Sequence, residues 1–217
     1  MIKNAIILAG GSGTRMKPLT NYIPKGLVEV NNKPLILGII DMLRVNNVEN
    51  IFVTYNYLSN ILFNSINDKV EGFINTLNQD NSYFLFSELV KNINEPTIII
   101  SCDLVIDIDL EKIYDDYLLL GKPAIMVIGT EPQENIDGDF IICNENQNIY
   151  NLTRKIKSNL YCTGMQIINP FLVNQICSEE YNFNNVWSQL FGTKDLKVSS
   201  IRPSYWKSYD SINQIIK

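Results

Sequence analysis

The feature that most constrains this chain is an apolar run that breaks abruptly into glycine: Ala5-Ile6-Ile7-Leu8-Ala9 is followed by Gly10-Gly11-Ser12-Gly13-Thr14-Arg15. Five apolar residues without alternation read as a strand buried on both faces. The loop behind it holds three glycines and no bulky side chain, so its backbone N–H groups can approach an anion closely. A helix starting beyond the loop would add its positive dipole end. Arg15 and Lys25 supply mobile positive charge on either side, and Pro24 fixes the backbone before the lysine. Chemically, this is a phosphate cradle. It is not a Walker A loop, because no Gly-Lys-Ser/Thr closes it, and it lacks the third glycine of the dinucleotide fingerprint.

Pro96 to Cys102 reads as a second strand buried on both faces, and it ends in Asp103. In an open α/β sheet ligands gather at the carboxyl ends of strands, so Asp103 is expected in the same cleft as the glycine loop. A carboxylate there suits Mg²⁺, a hard cation that takes oxygen ligands and bridges to phosphates. The plainer reading is an aspartate that ends a strand by starting a turn.

Between and after these runs the pattern alternates. Residues 34–43 read as a buried helix with proline in its first turn, 50–55 as a strand, and 59–66 as a helix with Ser59 as candidate N-cap. A short strand is expected within 70–80 and a core helix over 82–90. Asp109 should cap a helix over 110–120 that Gly121 closes, with a strand over 124–128 after it. From Asp137 the texture becomes strand and turn, with a hairpin built from 138–143 and 149–156. Helices over 171–178 and 184–190 and a strand over 198–202 follow, with Trp187 and Phe191 assigned to the core by their helical spacing. The fold class is α/β: a Rossmann-like three-layer α/β/α domain with a mixed, mainly parallel central sheet and a small hairpin subregion. One domain is expected over 1–217, with halves at about 1–130 and about 131–217.

Composition removes several alternatives. With no histidine, His-assisted serine hydrolysis, His-ligated metals and imidazole acid–base schemes are excluded together. A net charge of −5 argues against a nucleic-acid surface, though not against a local phosphate pocket. The four cysteines are scattered without a C-x-x-C pair, which favours a reducing, cytoplasmic setting over zinc or disulfides. No run is long enough for a signal-peptide core or a membrane span, so no membrane partner is expected.

Taken together, Gly10-Gly11-Ser12-Gly13-Thr14-Arg15, Pro24-Lys25, Gly26-Leu27-Val28-Glu29-Val30 and Lys33-Pro34-Leu35 resemble the composite signature of the nucleoside-diphosphate-sugar pyrophosphorylases and related sugar-phosphate nucleotidyltransferases. The resemblance implies an enzyme that couples a nucleoside triphosphate to a phosphorylated acceptor with Mg²⁺, releasing pyrophosphate, in nucleotide-sugar and surface-polysaccharide biosynthesis. By that resemblance Arg15, Lys25 and Asp103 are catalytic, and Asp103 and Asp210 hold the metal. Leu8, Ala9, Gly10, Gly11, Ser12, Gly13 and Thr14 bind the nucleotide.

The remaining matches are looser. Asn81 and Ser82 lie where many members carry a glycine-rich base-reading segment; here the segment is similar to that of phosphocholine-type cytidylyltransferases. An Asn-rich turn is the other reading. Gly138, Arg154, Lys155 and Gly164 are the implied acceptor-binding residues. Arg154 replaces a glutamate, which favours a negative group over a neutral diol, unless the Arg-Lys pair simply faces water. Gly164 marks a close backbone approach or a bulge. Asp210 lies in a Tyr-Trp-Lys-Ser-Tyr-Asp segment similar to the family's terminal Trp-x-Asp, and otherwise reads as the N-cap of a helix over 211–216. Three functions stay open beside the sugar-phosphate enzyme: a cytidylyltransferase for a non-sugar phospho-compound, an inactive nucleotide-sugar sensor, and a glycosyltransferase, which usually carries a D-x-D that is missing after Cys102.

Overall fold

The computed structural model describes residues 1–133 and 138–215. The first strand, β1 (Asn4–Leu8), runs into the glycine loop, and three single 3-10 turns lead to a small ribbon of β2 (Glu29–Val30) and β3 (Lys33–Pro34). Then come α1 (Leu35–Val45), β4 (Asn50–Tyr55), α2 (Ser59–Ile66) and β5 (Gly72–Asn75). The middle of the chain forms β6 (Thr97–Ser101), β7 (Leu104–Asp107), α3 (Leu110–Leu119) and β8 (Ile125–Thr130). The last third forms β9 (Phe140–Cys143), β10 (Ile149–Thr153), β11 (Tyr161–Ile168), α4 (Pro170–Ile176), α5 (Phe183–Leu190), β12 (Leu196–Val198) and β13 (Tyr205–Ser208).

The strands join in the order β10-β9-β11-β6-β1-β4-β5, with β8 also paired to β11 and β12 beyond β8. The block β6-β1-β4-β5 is parallel, whereas β11 runs antiparallel to both β6 and β8. Side chains alternate between two covered faces, as the wholly apolar strands require. Ala5 and Ile7 of β1 pack on one side with Ile36 and Leu43 of α1, Leu62 of α2 and Ile113 of α3. Ile6 packs on the other with Phe84 and with Val186 and Leu190 of α5. Ile98 and Ile100 of β6 share the first face and Ile99 the second. This is the expected three-layer α/β/α fold with its mixed sheet, and β9 and β10 form the expected hairpin.

Some local expectations change. Residues 82–90 do not form a helix; a single 3-10 turn at Tyr83–Phe86 buries Phe84 and Leu85. Tertiary bonds decide this, because Ser82 N–H donates to Tyr181 O and its hydroxyl to Glu180 O, pinning the start of the segment to a distant one. Leu58, at φ +51, rather than Ser59, precedes the first turn of α2. The last core strand lies at Leu196–Val198 instead of 198–202. Beyond it, the hydroxyls of Ser199 and Ser200 turn to the buried Asp116 carboxylate. Asp109 caps α3 by accepting from Lys112 N–H at 3.0 Å, and Gly121, at φ +83, follows its end, as expected. All four cysteines are free thiols. Among the described residues no helix is long and apolar enough to cross a membrane.

Two ribbons lie outside the sequence expectations, the β2–β3 pair and one that begins past Asp103. Past Asp103 the chain enters β7, which pairs antiparallel with β13 in a separate ribbon. That ribbon carries the C-terminal segment back to the end of β6.

Candidate active site

A cavity of about 520 Å³ opens where β1 and β6 end, lined by Gly10, Gly11, Gly13, Thr14 and Arg15 from the loop and by Lys25, Asp103 and Asp210. Gly13 has φ +58, and a Cβ there would lie 2.9 Å from Thr20 Cγ2, so both backbone and space require glycine. Thr20 Oγ1 locks the turn by donating to Gly13 O at 2.8 Å. Leu8 also lines the cavity, whereas Ala9 is buried with its N–H on Thr54 Oγ1 at 3.0 Å, and Ser12 is exposed outside the lining. The loop leads into the three-residue 3-10 turn Thr14–Met16 rather than an α-helix, because Pro18 follows and lacks an N–H. The loop therefore offers individual N–H groups, without a helix macrodipole.

Beside the loop, with Lys25 packed against Gly13, stands a compact charge cluster. Lys25 Nζ donates to Asp103 Oδ2 at 2.5 Å and also to Asp210 Oδ1, and Arg15 reaches the same Asp210 oxygen at 3.2 Å. Ser101 Oγ donates to Asp103 Oδ1 at 2.6 Å, and Tyr209 N–H donates to the Asp103 carbonyl at 2.9 Å. Gly26 makes the approach possible: a Cβ there would meet Cys102 Cβ and Ile36 Cβ, each at 3.3 Å, so its absence lets the Lys25 turn close on the end of β6. Asp210 is not a helix cap. Ser211 caps the turn Ile212–Gln214, and Gln214 Oε1 accepts from the N–H groups of Asp210 and Ser211 at 2.6 and 2.9 Å, leaving the Asp210 carboxylate to the cluster.

The electrostatics follow from this packing. Burial pulls Lys25 downward, but the two carboxylates outweigh it and its pKa is raised. Burial pushes Asp210 upward, but Lys25 and Arg15 outweigh it and its pKa is lowered. Both groups are therefore held charged near neutrality. Burial pushes the neighbouring Cys102 thiol up to about 12, so it stays protonated and is no nucleophile.

Asp103 and Asp210 converge on one cation position with oxygen donors, which fits a hard divalent ion better than a soft one. Among the described residues no group of three or more acidic or thiol side chains could cage a metal alone. Two carboxylates completed by substrate phosphates is the arrangement Mg²⁺ takes in phosphoryl sites.

The other end of the cavity is built by β11 and the hairpin. A Cβ on Gly138 would fall 2.1 Å from Tyr161 Oη, so only glycine allows the backbone to lie against that ring. Arg154 lines the cavity with its Nε 3.7 Å from Asp139 Oδ1. Lys155 is exposed outside the lining, its backbone N–H on Thr153 Oγ1. Gly164, at φ +85, lies where the β11–β8 register shifts between Cys162 and Gln166. It is therefore a bulge residue that also faces the cavity. Asn81 lines the cavity and accepts from Phe183 N–H at 3.1 Å, whereas Ser82 is fully buried away from it. Trp187 belongs to the core as expected, yet it also reaches the lining.

The structure adds lining residues that pattern reading did not single out, among them Thr54, Thr76, Asp80 and Gln166. Thr54 and Thr76 carried one signal: Thr54 stands near the carboxyl end of β4, beside β1, and Thr76 just past the end of β5, beside β4, at the sheet edge where ligands bind. Gln166 carried another, as a polar residue inside an apolar strand.

Residues 4–138 match the family model described as Nucleotidyl transferase. The mannose-1-phosphate guanylyltransferase catalytic subunit beta of Danio rerio is 25% identical over 184 residues, covering 79% of this chain and 51% of that protein. The bifunctional protein GlmU of Methanococcus aeolicus is 32% identical over 167 residues, covering 75% of this chain and 39% of the other. The chain spans about half the length of the curated guanylyltransferases it matches. In fold it resembles HddC from Yersinia pseudotuberculosis, with a TM-score of 0.78 at 18% identity over 98% of this chain and 96% of that one. It is also similar to the CTP:phosphocholine cytidylyltransferase of Streptococcus pneumoniae, with a TM-score of 0.75 at 20% identity over 98% and 96%. With the glycine loop, the lysine and the strand-end aspartate in one cavity and the family match running through all but the last third of the chain, this protein belongs to the nucleotidyl transferase family.

Proposed function

We propose that the protein joins a nucleoside triphosphate to a phosphorylated acceptor, releasing pyrophosphate, with a sugar 1-phosphate as the acceptor. The observation that carries this reading is the cluster of Lys25, Asp103, Asp210 and Arg15 beside the glycine loop in the wall of one cavity. An acceptor phosphate oxygen attacks the α-phosphorus, the bond from that phosphorus to the bridging oxygen breaks, and pyrophosphate leaves with the electron pair. The acceptor phosphate is largely ionised near neutrality, its second pKa being about 6, so no general base is needed and the absence of histidine is no obstacle. The protein then contributes alignment and charge neutralisation.

In this reading the loop N–H groups and Arg15 bind the β- and γ-phosphates and stabilise the departing pyrophosphate. Lys25 lies between the reacting phosphates. Gly138, Arg154 and Gly164 seat the acceptor, with Lys155 close by in sequence, and Asn81 belongs to the nucleoside end. Asp103 and Asp210 would hold Mg²⁺, which when bound supplies Lewis-acid charge to the phosphate oxygens. The names of the curated relatives support a sugar 1-phosphate. Arg154 in the lining favours an acceptor with further negative charge, which keeps a small phospho-compound as a second acceptor class. Pyrophosphate release measured over the four common NTPs against hexose 1-phosphates, hexosamine 1-phosphates and phosphocholine tests the reading. One productive pair is expected, and silence across the whole matrix with Mg²⁺ present would overturn it.

A further inference from the structure

The side chain of Gln166 has an unusual position for a glutamine. It lies within β11, is only 7% exposed, and reaches the cavity lining beside Trp187. Trp187 Nε1 lies 3.1 Å from Gln166 Oε1. An indole N–H only donates, so the amide atom facing it must be the oxygen, and the orientation of the amide is set by chemistry. Nε2 then carries two hydrogens, makes no hydrogen bond to any described residue, and is not among the buried polar atoms left without a partner. It is therefore open to the cavity.

The indole is itself held firmly. Trp187 stacks on Phe183 with centroids 5.5 Å apart at 25°, and Phe183 N–H is bonded to Asn81 of the cavity wall. The amide is thus presented by a rigid, buried support, which is what a recognition contact needs. A donor that opens into the cavity with no protein partner is available to a ligand acceptor.

We propose that Gln166 is a specificity-determining residue whose Nε2–H groups donate to an uncharged oxygen of the bound substrate, a hydroxyl of the acceptor or a carbonyl of the base. The oxygen is assigned as uncharged because the groups fixed around the amide are neutral, the Trp187 indole bonded to Oε1 and the Phe183 ring stacked on it. The inference rests on the proposed transferase reaction for the identity of the ligands.

Gln166→Glu is the discriminating variant. The carboxylate has the same shape and still accepts from the indole, but presents an acceptor where the amide presented a donor. Its melting temperature should stay near wild type, while KM for one substrate, acceptor or NTP, rises at least about tenfold with kcat changed far less. A rise for the acceptor identifies a hydroxyl, and a rise for the NTP identifies a base carbonyl. Trp187→Phe, which releases the amide, should move the same KM by less. Calorimetric Kd values for the same NTPs and acceptors, measured without turnover, separate the two levels. A weakened Kd in a protein that releases no pyrophosphate keeps the Gln166 contact and discards the reaction. Normal turnover with both KM values and both Kd values unmoved overturns the contact, as does a wild-type protein that binds none of these ligands.

Discussion

Lys25 touches both carboxylates of the cluster, so its removal tests the site most directly. Lys25→Ala should lower kcat at least about a hundredfold, since an oriented charge in a desolvated site is worth that much or more. A change confined to KM would assign it to ground-state binding instead. Asp103→Asn keeps the volume and the Ser101 hydrogen bond but removes the charge, so turnover should fall steeply while the circular dichroism spectrum and melting curve stay in place. These residues were legible because each lies in or beside a local signal: a glycine loop, a Pro-Lys pair, an aspartate ending an apolar run. Ser82 was not legible as a core residue. In an Asn-rich turn a serine that reads a ligand and one that braces Glu180 and Tyr181 look alike, and the partners lie about a hundred residues away. Asp210 was ambiguous for a related reason: aspartate suits a helix cap and a cation site equally, and only the capping by Ser211 separates them.

Among the elements, the glycine loop leaves little room for change at Gly13. Gly13→Ala puts a methyl group 2.9 Å from Thr20 Cγ2 at a φ of +58, so it should cost on the order of 1 kcal/mol or more in stability and weaken triphosphate binding, read by thermal melting and by KM for the NTP. A second prediction concerns the join of α1, β4 and β5. Glu71 accepts from Ile51 N–H at 2.6 Å and pairs with Arg44 at 2.8 Å. Burial pushes its pKa up, but these partners outweigh it and the pKa is lowered. A lowered folded pKa stabilises the fold above the unfolded carboxylate value of about 4.3, and that stability is lost as pH falls through the folded value. Glu71→Gln should therefore lower the melting temperature near neutrality and flatten its decline below roughly pH 4.5; an unchanged acid limb would exclude the linkage. Most elements were readable from periodicity, since apolar strands and capped helices declare themselves locally. The segment 82–90 was not. Its apolar content matches a helix, and hydrogen bonds to a distant strand-free segment decided otherwise.

In the whole molecule, the ribbon of β7 and β13 joins the two halves of the cavity, and its pairing spans about a hundred residues of sequence, which is why periodicity did not reveal it. Trp206 anchors the ribbon by donating from Nε1 to Thr163 O at 2.9 Å beside the β11 bulge. Trp206→Phe would leave that carbonyl without its donor, at a cost of about 1–3 kcal/mol. The melting temperature should fall by about 2–4 °C for each kcal/mol in a chain of this size. Because Asp210 follows β13 directly, kcat should fall as well; a lowered melting temperature with unchanged kcat would show that the ribbon braces the fold without setting the cluster. The same arrangement has an optical consequence. The chain has two tryptophans, Trp187 and Trp206, and both stand in the wall of this one cavity. Its intrinsic indole fluorescence therefore originates beside the site alone, and a ligand settling there should report itself by a change in emission without any label.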